Sequence, residues 1–153
     1  MQLSPVRAIV FGALTVGCLD GLDAIIFFGF RGASPLRIFQ SIASGLLGKA
    51  SFQGGITTAL LGVAIHFGIA LAVVAFYAWA SQHLPALARQ PLVWGSLYGI
   101  GVYLVMNLVV LPLSAAASPA PSLPVLVNGL AIHIVGVGVP SALFAQAAVV
   151  PGG

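Results

Sequence analysis

The sequence predicts an all-α membrane protein: four transmembrane helices in an antiparallel bundle, plus one amphipathic interfacial or re-entrant helix over about 35–48. Three observations carry this. Charged residues make up 5% of the 153 residues and apolar ones 60%, with a mean hydropathy of +1.15. A soluble domain carries roughly 25% charged and 45–50% apolar residues. The charge here is too scarce to cover a water-facing surface, and intrinsic disorder fails on the same numbers because it needs low hydrophobicity. Four apolar runs are each long enough to cross a hydrocarbon core about 30 Å thick, which takes ~20 helical residues. These runs are continuous, not alternating, and twice the length of a barrel strand, so a β-barrel is excluded. Irregular backbone cannot face lipid, which leaves helices. The chain reads as a single domain, 1–153.

The first span is expected at about 8–30. Only Arg7 precedes it as a charge, it contains Asp20 and Asp23, and no small-x-small cleavage site follows. It reads as a retained span, not a cleaved signal peptide. Ser34-Pro35 then reads as an N-cap followed by the first helical residue. Leu36, Phe39, Ile42 and Leu46 recur at helical spacing, while Arg37, Gln40, Ser41, Ser44 and Lys49 fall largely elsewhere. This helix would be ~21 Å long, too short to span, so it lies in the interface or dips in and returns. Gly54-Gly55 breaks the chain.

The remaining spans are expected at about 56–80, 92–113 and 125–150, the last fraying before Pro151. Ser81–Pro91 and Ser114–Pro124 read as loops, with Pro124 opening the fourth helix. Tyr77, Trp79 and Trp94 flank the first of these loops as half of an aromatic belt. Lys49, His83 and Arg89 read as interfacial anchors. Cys18, the only cysteine, reads as a small apolar filler. It permits no intrachain disulfide and no CxxC metal motif. Arg31, Arg37 and Lys49 lie on one side of the membrane, Arg7, Arg89 and the amino terminus on the other, a near tie under the positive-inside rule. Four spans put both termini on one side. Cytoplasmic termini are expected, because Arg31 and Arg37 have candidate work other than topology.

Ionisable residues inside spans are expensive and are functional-site candidates by default. Asp20 and Asp23, three apart, share a face of the first span. His66 lies in the second span, Asn107 in the third, Asn128 and His133 in the fourth. Measured from the side carrying Arg31–Gly55, Asp20 and His66 fall at ~15 Å depth, His133 at ~12 Å, Asp23 and Asn107 at ~10 Å and Asn128 at ~5 Å. Four helices thus place polar groups in one half of the membrane. Gly17 and Gly21 flank Asp20, Gly62 precedes His66, Gly129 and Gly136 flank His133, and Gly95 and Gly99 lead along one stripe to Tyr103 and Asn107. Small residues mark close helix approach, so these polar residues lie on or near inward faces. The plainer reading is packing for the glycines and interhelical hydrogen bonding for the asparagines. Arg31 and Arg37 could bind lipid headgroups, draw an anion, or pair with Asp23 at the mouth of the site.

At these residues the chain resembles the uncharacterised four-span bacterial inner-membrane proteins that include the YagU-like group. The resemblance rests on Arg31-Gly32-Ala33-Ser34-Pro35 after the first span, His66 in an apolar second span ending near Pro85, Pro112-Leu113 closing the third, and His133 in the fourth. The runs Arg31–Gly48 and Met106–Ser114 are most similar. It implies a multi-pass protein of the bacterial inner membrane and carries no activity or catalytic residues with it.

Three functions compete for the polar layer. The first is a small-solute or ion permease or small-ligand binder, with Asp20, Asp23, His66, Asn107, His133, Arg31 and Arg37 as its ligand- or proton-binding residues. Asp–His sets serve as proton relays in pumps and transporters. Four spans are few for such a protein, so a homodimer is expected. The second is a bis-histidine haem b protein using His66 and His133, with the glycines making room for the macrocycle. Its variant is a divalent metal held by His66 and His133 with Asp20 and Asp23. Both assume a sequential square of helices with spans two and four on a diagonal. The third is a structural or assembly partner whose polar layer fixes helix register. An enzyme has least support, because no nucleophile motif, phosphate loop or HExxH occurs. A net charge of +3 is too small and scattered for nucleic acid.

Overall fold

A computed structural model of the chain describes residues 3–116 and 121–149. Four helices are long and apolar enough to cross a bilayer: α1 (Pro5–Gly29), α3 (Gly55–His83), α5 (Pro91–Leu113) and α6 (Leu123–Ala148). Two shorter helices are α2 (Pro35–Leu47) and α4 (Pro85–Arg89), and a 3-10 segment, Gly48–Gln53, leads from α2 into α3. The expected Val150 end of the fourth span, Pro151, and residues 117–120 of the Ser114–Pro124 segment lie outside the described residues.

Helix starts follow the sequence signals. Ser4-Pro5 and Ser34-Pro35 open α1 and α2 in the same way. Each serine hydroxyl accepts the backbone N–H three residues on, from Arg7 and Arg37, at 3.4 and 3.3 Å. Proline follows as the first helical residue, where its missing N–H costs nothing. In α6 the cap is Ser122 and the first helical residue is Leu123, so Pro124 stands one position later than expected. Gly48 ends α2 at φ +56°, a left-handed conformation that glycine adopts without strain. The expected Ser81–Pro91 loop is mostly helical. Helix α3 runs on to His83, and Pro85 starts α4 directly after Leu84.

The outward faces carry large apolar residues such as Leu22, Ile26, Leu60, Leu97, Leu108 and Val135, all exposed. Only a hydrocarbon solvent suits such a surface. With the four long apolar helices, this makes the chain a multi-pass membrane protein. The interior is built from small residues: Ala59, Ala70, Ala78, Ala142 and Ala145 are buried, with Ser81 and Ser141.

Helix α6 is central and packs against α1, α3 and α5. The expected square with spans two and four on a diagonal is not formed. Ala78 of α3 clusters with Ala142 and Ala145 of α6, and these methyl-sized side chains let the two helices pack directly. Helix α5 closes on α6 through Gly95, Gly99 and Gly138. A methyl on Gly99 would overlap the His133 carbonyl, and one on Gly138 would overlap the Gly95 carbonyl.

Helix α2 packs along α3. A methyl on Gly62 would strike the Phe39 carbonyl, so α2 backbone touches α3 backbone there. That contact lies ~10 Å along α3 from Gly55. Buried Gln40 donates from Nε2 to the Gly55 carbonyl at 3.0 Å, and the Ala115 N–H donates to the Gly45 carbonyl at 2.9 Å. The middle of α2 is thus tied to the start of α3, and its last turn to the segment just after α5.

Two residues differ from their expected roles. Tyr77 is 1% exposed, and its hydroxyl donates to the Leu87 carbonyl of α4 at 3.0 Å. It clamps α4 to α3 and is not a belt anchor, because the extra helical turn in α4 covers it. Trp79 and Trp94 do face outward. Cys18 is exposed on α1, so it fills no interior space.

Candidate functional site

One cavity of about 340 Å³ lies among the four long helices and α2. Asp20 and Asp23 of α1, His66 of α3, Asn107 of α5, and Asn128 and His133 of α6 all line it. Their spacing produces this. Asp20 and Asp23 stand on one helix face, and the glycines beside the histidines set how near each neighbouring helix comes. Apolar walls come from residues such as Val16, Ile69, Val102 and Ile132, and Ile42 is the contribution of α2.

His66 is held on one side by α1. Its Nε2 lies 2.9 Å from the Gly17 carbonyl. A carbonyl only accepts, so Nε2 carries the hydrogen. Gly17 and Gly21 permit the approach: a methyl on Gly21 would stand 3.3 Å from Nε2. Nδ1 then faces the Asp20 carboxylate, with 3.9 Å between Nδ1 and Oδ2. That separation is beyond a direct hydrogen bond but within ion-pair range. Phe67 packs edge-on against the imidazole at 5.4 Å, fixing the ring plane. The Asp20 carboxylate makes no hydrogen bond among the described residues.

Asp23 is treated differently. Asn128 donates from Nδ2 to its Oδ2 at 2.7 Å, joining α1 to α6. A neutral amide, not an arginine, satisfies this carboxylate. His133 donates from Nδ1 to the Gly129 carbonyl at 2.8 Å, which leaves Nε2 unspent. The Tyr103 ring stands edge-on to it at 5.4 Å. Asn107 donates from Nδ2 to the Tyr103 carbonyl at 2.9 Å, one turn back on its own helix. Asn107 is therefore not interhelical glue, whereas Asn128 is.

Asn107 and His133 coincide with a change in helix geometry. Met106–Val110 and His133–Gly138 are π turns, with Leu111 N–H donating to Met106 and Val139 N–H to Ile134. Such turns are rare and occur often at functional sites. Nothing in the hydropathy pattern signals them. Tyr103 and Asn128 also line the cavity. The depth calculation pointed to Asn128, and the glycine stripe pointed to Tyr103.

Arg31 and Arg37 are not brought to the cavity. Both are exposed, and their guanidinium groups lie over Phe27 and Phe52 at 4.3 and 4.2 Å from the ring centroids. Pairing with Asp23, one of the three readings of these arginines, is not formed, and each cation stacks on a nearby ring instead.

The cofactor readings do not fit these residues. Among the described residues no three His, Cys, Asp or Glu side chains group closely enough to hold a metal ion. The glycines expected to make room for haem are already filled. Gly62 receives the α2 backbone, Gly129 the Tyr103 ring, and Gly136 the Ile132 and Leu19 side chains. Comparison with family models, with curated proteins and with solved structures finds no match to this chain.

Proposed function

We propose that the protein is a permease or small-ligand binder of the bacterial inner membrane, handling a small solute or ion with proton exchange at Asp20 and His66. One observation carries this reading: carboxylates and imidazoles from α1, α3 and α6 converge on one cavity between membrane-spanning helices. Polar groups in that setting are costly and are kept for pathways and relays. The Asp20 carboxylate and the His66 Nδ1 stand 3.9 Å apart on the cavity wall, within ion-pair range, so that a proton taken up by the imidazole is held against the carboxylate. Helix α2, seated between α3 and the end of α5, serves as a re-entrant lid over the antiparallel bundle. The termini are cytoplasmic, and the working unit is a homodimer. Kinship with the YagU-like inner-membrane proteins belongs to the same proposal.

The test is uptake into proteoliposomes under an imposed pH gradient. A panel of labelled amines, amides, alcohols, carboxylic acids and alkali cations is offered to the wild type and to an Asp20→Asn, Asp23→Asn double variant. At least one class should enter in a gradient-dependent manner, and its rate should fall about tenfold or more in the double variant, as for a lost intramembrane proton site. Equal uptake of every class by both proteins leaves the scaffold reading in its place.

A further inference from the structure

We propose that the cavity takes a small primary ammonium ion, seated on Asp20, in exchange for a proton held by the Asp20–His66 pair. This rests on the permease or ligand-binder reading and names its substrate class. The first argument is charge. Two carboxylates line the cavity, and no lysine or arginine does. The nearest candidates, Arg31 and Arg37, are stacked on Phe27 and Phe52 outside it. An anion would meet only like charge.

The second argument is hydrogen-bond capacity. His66 spends its Nε2 hydrogen on Gly17, and His133 spends its Nδ1 hydrogen on Gly129. Asn107 and Asn128 each spend one amide hydrogen on Tyr103 and Asp23. One hydrogen on each asparagine amide and the Tyr103 hydroxyl remain as donors, but acceptors outnumber them: both Asp20 oxygens, Oδ1 of Asp23, the two asparagine oxygens, and one lone pair on each imidazole in its neutral form. The ligand complementary to that set carries several donors and a positive charge. A primary ammonium group has three N–H donors on one cation. Its hydrocarbon body would lie along Val16, Ile69, Ala70, Val102 and Ile132, which line the same space. A volume of about 340 Å³ suits a small organic molecule.

The exchange balances in charge. Low dielectric penalises any change in the net charge of the cavity. The ammonium ion enters with its own hydrogens, and one proton leaves the Asp20–His66 pair for water. The titratable groups facing Asp20 are Asp23 on its own helix, His66 from α3, Tyr103 from α5 and His133 from α6. Helix α2 presents only Ile42 to the cavity. Proton and ligand compete, so affinity rises with pH.

The probe is tritiated benzylamine, with the full chain in lipid nanodiscs between pH 6 and 8. We expect saturable binding that tightens as pH rises, the linkage of a proton released on ligand binding. Benzyl alcohol and benzoate should bind at least about tenfold more weakly, and so should benzyltrimethylammonium, which has no N–H. Asp20→Asn should lose binding and Arg31→Gln should retain it. The pH series uses only the wild type, so it stands even if Asp20→Asn folds poorly. Benzyl alcohol binding as tightly as benzylamine overturns the cation class and leaves the small-solute reading intact. Equal binding of benzyltrimethylammonium overturns the primary ammonium, and pH-independent binding overturns the exchange. If no probe binds and the double variant shows unchanged uptake, both readings fall.

Discussion

At the scale of the residue, the two carboxylates of α1 differ because their neighbours differ. Asp23 has a short hydrogen bond from Asn128, while Asp20 has only the long approach to His66. The fixed partner makes Asp23 a structural tie between α1 and α6, and the loose one leaves Asp20 free for the proposed exchange. Asn128→Leu removes the donor and leaves the Asp23 carboxylate without it. The expected cost is about 1 kcal/mol, the net worth of a hydrogen bond at a half-buried acceptor. It would be read as a lowered thermal unfolding midpoint in detergent. An unchanged midpoint would mean that solvent in the cavity replaces the amide.

At the scale of the element, two helix contacts depend on the lack of a side chain. Gly62 receives α2, and Gly99 receives the π turn of α6 that begins at His133. Gly62→Ala and Gly99→Ala should each destabilise by about 1–3 kcal/mol through overpacking. Gly68, with nothing near its missing Cβ, is the control: Gly68→Ala should be neutral or slightly stabilising. Thermal unfolding of the three variants separates the cases. Amide exchange adds detail, since Gly62→Ala should speed exchange in α2 while α5 and α6 stay protected. Gly99→Ala should show the reverse.

At the scale of the whole molecule, the exposed leucines and phenylalanines fix the solvent as lipid, and the helix order fixes which segments share a side. Lys49 lies in the 3-10 segment that leads into α3, and Arg89 ends α4, just past the other end of α3. The length of α3, 29 residues or ~43 Å, separates them by a bilayer. Single cysteines placed at Lys49 and at Arg89 in a Cys18→Ser background should therefore label from opposite faces. With cytoplasmic termini, an impermeant maleimide added to intact cells should reach Lys49→Cys and not Arg89→Cys. Labelling of both from outside would contradict a membrane-spanning α3, and the reverse pattern would invert the orientation.

Much of this molecule is written in local sequence. The scarcity of charge and four long apolar runs dictate the spans, because bilayer thickness and helical rise are fixed lengths. Ser34-Pro35 and Gly48 bound α2 within one residue of its expected end, because capping is chemistry among a few neighbours. The shared depth of Asp20, Asp23, His66, Asn107, Asn128 and His133 followed from counting residues. What the sequence could not decide is rotation and partnership. Tyr77 looked like a lipid anchor until α4 covered it. Arg31 looked like a partner for Asp23 until Phe27 took it. Gly62 looked like room for a ligand until the α2 backbone filled it. Hydropathy and spacing belong to one segment at a time. The face a helix turns inward, and the group each polar atom meets there, depend on how side chains from several helices fit together, and only the tertiary structure decides that.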